Sequence, residues 1–158
     1  MKKLLVLLSV LATLLVPSSA LALDEAPVDP AIEDGSAARE FKQARAIWLE
    51  QGIRDYRMTV QRGCFCVGPF QTTITVRAGK PVKLSERPWY GPRTVPGMFK
   101  VVADAIKRRV PILDVTYNGR LGFPARVSID YIALAVDDEI SYAVKGVRKL
   151  RPLQSAGR

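Results

Sequence analysis

From Tyr56 onward the chain alternates apolar and polar residues with a period of two, in segment after segment. Tyr56, Met58 and Val60 alternate with Arg57, Thr59 and Gln61, and Thr72, Ile74 and Val76 alternate with Thr73, Thr75 and Arg77. Successive side chains of an extended chain point to opposite faces, so each segment reads as a strand with one buried and one wet side. The pattern returns at Leu113, Val115 and Tyr117, at Ala125, Val127 and Ile129, and at Ile140, Tyr142 and Val144. Gly68-Pro69, Asn118-Gly119 and the acidic run Asp137-Asp138-Glu139 separate these segments. Ala78-Gly79-Lys80-Pro81 turns the second strand into a short third one, Val82 to Leu84.

Two stretches follow helical spacing instead. Ala37, Phe41, Ala44 and Trp48 form one apolar stripe over Ser36 to Gln51, with Ser36 as N-cap and Gly52 as stop. Phe99, Val102, Ala103, Ile106 and Val110 do the same over Thr94 to Val110, with Thr94 as cap, Pro96 in the first turn and Pro111 as terminator. Short connections between strands imply antiparallel pairing. The predicted fold is α+β: an antiparallel sheet of about five or six strands with two helices packed on one face, in the order α-β-β-(β)-α-β-β-β.

The first residues belong to a different category. Met1-Lys2-Lys3 is followed by uncharged Leu4 to Val16 and then by Pro17-Ser18-Ser19-Ala20-Leu21-Ala22. A basic start, a short apolar run and an A-x-A site make a secretory signal peptide over residues 1–22, cleaved near Ala22. The run is shorter than the roughly 20 residues needed to span a bilayer, and no other stretch is long and apolar enough, so no transmembrane segment is expected in the mature chain. Leu23 to Gly35, acidic and proline-bearing, reads as a flexible linker, residues 36–150 as a single domain, and 151–158 as a disordered basic tail. Export implies a periplasmic or secreted protein.

Composition narrows the chemistry. The 158 residues carry 24 Lys and Arg against 15 Asp and Glu, a formal charge of +9, of which Lys2 and Lys3 leave with the leader. Such a balance suits anionic surfaces or polymers, and export makes nucleic acid an unexpected partner. There is no histidine. Ser-His-Asp and Cys-His catalysis, histidine zinc sites and imidazole proton shuttles are thereby excluded.

Several segments, taken in order, resemble the DUF6174 family of bacterial exported and lipoprotein-like domains, which has no assigned activity. They are Trp48, Tyr56 and Cys64-Phe65-Cys66; Thr94-Val95-Pro96-Gly97-Met98-Phe99; and Tyr117-Asn118, Gly122-Phe123-Pro124, Ile129-Asp130 and Asp137-Asp138-Glu139-Ile140. The resemblance runs from about Ala37 to Val147, with Asn118 standing where an aspartate is expected. It implies export and the extent of the domain, and supplies no catalytic residues.

Three groups of residues could carry function. Cys64 and Cys66 are the only cysteines, and in an exported protein such a pair is expected as a disulfide. Their spacing needs a bend, because residues two apart in a strand sit about 6.5 Å apart. Redox activity, or soft-metal binding with Met58 as a third ligand, are the alternatives. Trp89 and Tyr90, flanked by Arg87 and Arg93 in a proline-bearing loop, are the candidate binding residues; Trp89 could instead fold down onto the sheet. Asp130, Asp137, Asp138 and Glu139 are the densest carboxylates, open to a metal or an acid–base role only if they converge. No cofactor is expected. The leading expectation is an exported, non-enzymatic binding or accessory domain of the bacterial cell envelope, recognising an unknown envelope component or an anionic polymer. A carboxylate- or metal-dependent enzyme and a thiol-redox or copper-handling protein are the alternatives.

Overall fold

Three helices and six strands make up the computed structural model, which describes residues 27–133, 135 and 137–151. In chain order they are α1 (Pro30–Glu33), α2 (Ser36–Glu50), β1 (Tyr56–Cys64), β2 (Gln71–Arg77), β3 (Lys80–Leu84), α3 (Val95–Arg108), β4 (Ile112–Tyr117), β5 (Pro124–Asp130) and β6 (Ile140–Lys149). The expected signal peptide, and the tail beyond Arg151, lie outside the described residues. The strands form one sheet in the order β3-β2-β1-β6-β5-β4, antiparallel throughout. This is the predicted α+β class. The last strand lies between β1 and β5, so β6 joins the two halves of the chain.

The period-two pattern decides which face is covered. Tyr56, Met58, Val60, Ile74, Val76, Val127, Ile129, Tyr142 and Val144 are buried, and their strand neighbours are not. Helices α2 and α3 supply Ala44, Trp48, Met98, Phe99, Val102 and Ala105 to the same core. Trp48 meets Tyr56 and Phe123 edge-on at 5.6 and 6.5 Å, and Phe41 meets Phe99 at 5.7 Å. Trp48 therefore sits in the core, as its place in the helical stripe predicts. At Gly122 (φ +76°) a Cβ would stand 2.2 Å from the carbonyl oxygen of Ala44, so the β4–β5 turn fits against α2 only as glycine.

Helix ends follow the sequence closely, with two adjustments. Thr94 caps α3 by accepting from the Gly97 amide at 3.0 Å. The helix stops before Val110 because Arg109 turns left-handed, its amide bonding back to Ala105 and Ile106. Helix α2 begins at Ser36, but Gly35 (φ 75°) is its cap. Ser36 lies inside the first turn, its amide donating to the Asp34 carboxylate and its hydroxyl to the Ala31 carbonyl.

The expected linker is corrected from Pro27 on. Asp29 caps α1 through the Ala31 amide, and its other carboxylate oxygen accepts from the Leu113 amide at 2.9 Å. Its own amide donates to the Val110 carbonyl. Pro30 opens the turn, where its missing N–H costs nothing, and Ile32 is buried against the core. One helical turn is too short to show a period, which is why this acidic stretch reads as a linker.

Candidate functional site

The antiparallel register gathers three loops at one end of the sheet. Cys64 at the end of β1 faces Ile140 at the start of β6, and Ile140 faces Ile129 near the end of β5. Gln61 faces Gln71 at the start of β2, and Ile74 faces Leu84 at the end of β3. The segments 65–70 and 85–94 and the described residues of 131–139 therefore share that end. Each holds one of the residue groups singled out from sequence.

The first loop opens at the cysteines, Cys64 closing β1 and Cys66 lying within the loop. Strand β1 ends at Cys64 and the chain bends, which brings the Cα atoms of Cys64 and Cys66 to 5.3 Å and their sulfurs into a disulfide-type contact. Phe65 and Val67 beside them stand out into solvent at 83 % and 89 % exposure. Met58 takes no part. It is buried on the covered face, six residues back along a strand, or roughly 20 Å from Cys64.

The second loop splits the aromatic pair. Trp89 is buried at 2 % exposure while Tyr90 is exposed at 67 %. Trp89 folds down, its indole N–H donating to the Pro92 carbonyl at 3.1 Å and its ring lying over Gly91, where a Cβ would come within 2.8 Å of it. Its carbonyl accepts from Arg93 at 3.2 Å. Of the two readings open for Trp89, the structure takes the one in which it folds down, which leaves Tyr90 as the exposed aromatic of the pair. All four expected residues nevertheless line one open cavity of ≈ 470 Å³: Arg87, Trp89, Tyr90 and Arg93, with Leu84 and Pro88. Its lining holds two guanidinium groups and no carboxylate.

Beneath this loop lies Arg62, which sequence reading passed over. It is 7 % exposed, and its guanidinium sits 5.7 Å from the Trp89 ring centre and 5.8 Å from that of Tyr90. One terminal nitrogen donates to the Val67 carbonyl at 3.2 Å, and Nε has no partner. None of the three ion pairs among the described residues includes Arg62. A buried cation is normally paired with an acid. Here two aromatic faces and a carbonyl hold it, so Arg62 clamps the cysteine loop to the aromatic loop. Burial raises the titration of the Tyr142 hydroxyl on the neighbouring strand, and the Arg62 charge opposes that rise. The alternation Tyr56, Met58, Val60 continues to position 62, and that signal could have placed Arg62 on the covered face.

The third region brings two of the four carboxylates to one cleft and leaves the other two elsewhere. Asp137 and Glu139 are exposed along a cleft of ≈ 230 Å³ with Gly63, Cys64, Ser128 and Ser141. Asp130 instead accepts from the Ile132 amide at 3.0 Å, closing its own turn. Both Asp138 carboxylate oxygens are buried, with no hydrogen-bond partner among the described residues. No three acidic or cysteine side chains among the described residues come together as metal ligands would.

A family model described as "Family of unknown function (DUF6174)" matches residues 40–149. The chain belongs to the DUF6174 family. No curated protein and no solved structure matches it. The DUF6174 match takes in the whole sheet and all three loops, whereas α1 and its Asp29 latch precede it. Among the described residues no helix is long and apolar enough to cross a membrane.

Proposed function

We propose that this protein is an exported, non-enzymatic binding domain of the bacterial cell envelope, and that it recognises an anionic group at the cavity beside Tyr90. The observation carrying this reading is the lining itself: Arg87 and Arg93 flank an exposed Tyr90 with no carboxylate among them. An exposed aromatic beside two guanidinium groups can stack on a sugar or peptide plane while the cations meet a carboxylate or phosphate. Arg62 supports the reading because it adds positive charge under the same loop. Cys64 and Cys66, as a disulfide, would fix the bend whose Val67 carbonyl holds Arg62.

The test is titration of ¹⁵N-labelled protein with glucuronate, glycerol phosphate and glucose. Amide shifts in residues 84–93 should move with the two anionic probes and not with glucose, and Arg87→Ala with Tyr90→Ala should abolish the movement. Shifts confined to the Asp137–Glu139 cleft, or an undisturbed 84–93 loop with every probe, would overturn the proposal.

A further inference from the structure

The face of the sheet turned away from the helices is a second, separate feature, and its side chains form registered rows. Arg148 of β6 stands opposite Arg57 of β1, which stands opposite Thr75 of β2, which stands opposite Lys83 of β3. The next row runs through Gly146, Thr59 and Thr73, and the one beyond it through Arg126, Ala143, Gln61 and Gln71. Neighbouring strands lie about 4.8 Å apart, so the four-strand row is about 14 Å long.

The row after these, through Asp114, Ser128, Ser141 and Gly63, carries acid instead and bounds the basic area; within the basic rows three properties point the same way. Arg57 and Arg148 are like charges directly opposed across a strand pair, an arrangement that costs stability rather than adding it. Neither they nor Lys83 nor Arg126 enters an ion pair among the described residues, and all four are exposed. Between the charges, Thr59 and Thr73 share a hydrogen bond at 2.9 Å and Gln61 donates to Gln71 at 2.9 Å, a fixed polar floor with donors and acceptors to spare. No aromatic residue lies in these rows, so they lack the anchors of a protein interface and the stacking platforms of single-stranded nucleic acid.

We infer that this face is a docking surface for a linear anionic polysaccharide. The unpaired cations meet its acidic groups, and the threonine and glutamine side chains between them meet its hydroxyls. A bilayer fits less well. Adjacent strands rotate by about 20–25° relative to one another, so a six-stranded sheet cannot lay its cations on a plane, whereas a flexible chain follows the twist. The inference stands independently of the cavity beside Tyr90.

The experiment measures anisotropy of a fluorescently labelled alginate oligosaccharide, with neutral dextran and phosphatidylglycerol vesicles as the other probes. The full chain should bind alginate, weaken steeply with salt, and ignore dextran. Arg57→Thr combined with Arg148→Thr should weaken binding roughly tenfold at low salt, with an unchanged circular dichroism spectrum and a melting midpoint no lower than the parent's showing that the fold persists. Tyr90→Ala, which touches at most one sugar subsite, should lose far less alginate affinity than the double variant. Absence of alginate binding would overturn the inference. So would binding lost in Tyr90→Ala and kept in the double variant, or binding to the vesicles but not to alginate. Failure of the Tyr90 cavity to bind small anions would leave the alginate result untouched, which separates the two readings.

Discussion

The two faces of this sheet are built from the same strands and have opposite physics. On one side Tyr56, Met58, Val60, Ile74 and Val76 are almost completely buried in the core. On the other, one residue along in each case, lie Arg57, Thr59, Gln61, Thr73 and Thr75. The covered face holds the fold together through apolar burial. The open face contributes only a few cross-strand side-chain pairs, and so is free to carry unpaired charge. Even the polar exceptions on the covered side fit this division. Thr72 is fully buried, but its hydroxyl accepts from the Glu86 amide and so ties down the start of the aromatic loop.

The sharpest way to break the comparison is to change neighbours on one strand. Ile74→Ala removes a fully buried side chain and should cost about 2–5 kcal/mol of unfolding free energy. Thr75→Ala, next to it and facing outward, should cost less than about 1 kcal/mol. Urea denaturation of both variants decides the matter, and comparable losses would mean that the open face carries structural weight.

Alkaline pH probes the covered face alone. Burial pushes the Tyr56 hydroxyl up to about 12, while its bond from the Val95 amide pulls the other way. The unfolded chain ionises that group near 10, so from about pH 10 to about pH 12 the unfolded state holds fewer protons than the folded one. Stability therefore falls as pH rises through that window, by roughly 2–3 kcal/mol from Tyr56. Tyr56→Phe should be less stable at neutral pH, because the buried Val95 amide loses its partner, and should show a shallower alkaline decline. Burial raises the Tyr117 and Tyr142 hydroxyls as well, so the decline is shallower rather than absent. An unchanged slope in Tyr56→Phe would remove Tyr56 as its source.

What was legible in the sequence follows the same division. Strand period and helical stripe identify Met58, Val60, Trp48 and Phe99 as core because burial repeats at a fixed spacing. The DUF6174 relationship was visible in the order of its segments, and the candidate residues of the aromatic loop do line one cavity. Three things were hidden for definite reasons. A lone tryptophan among prolines carries no period, so nothing in the sequence decided between an exposed Trp89 and one folded down. Arg62 continues the inward alternation, but its charge argues against an inward reading until Trp89 and Tyr90 are seen beside it. The rows of the open face exist only through register, and nothing in the separate strands says that Arg57 will meet Arg148.

The latch at the chain's entry lies outside both faces and should have an intermediate effect. Asp29→Ala removes the cap of α1 and the acceptor of the Leu113 amide. A loss of about 1–2 kcal/mol is expected, with the far-ultraviolet spectrum of the sheet retained. A variant as stable as the parent would return this segment to the role of a linker.

The smallest effect is also the one whose sign matters most. Arg57→Thr places a β-branched residue where Arg57 opposes Arg148 on one side and Thr75 on the other. If the open face is free of structural duty, relieving the like-charge pair should leave stability within about 0.5 kcal/mol of the parent or raise it slightly. The gain should fade as salt screens the repulsion. A salt-independent loss above about 1 kcal/mol would mean that the arginine stem packs the sheet. The open face would then share in holding the fold, and the contrast between the two faces would be one of degree.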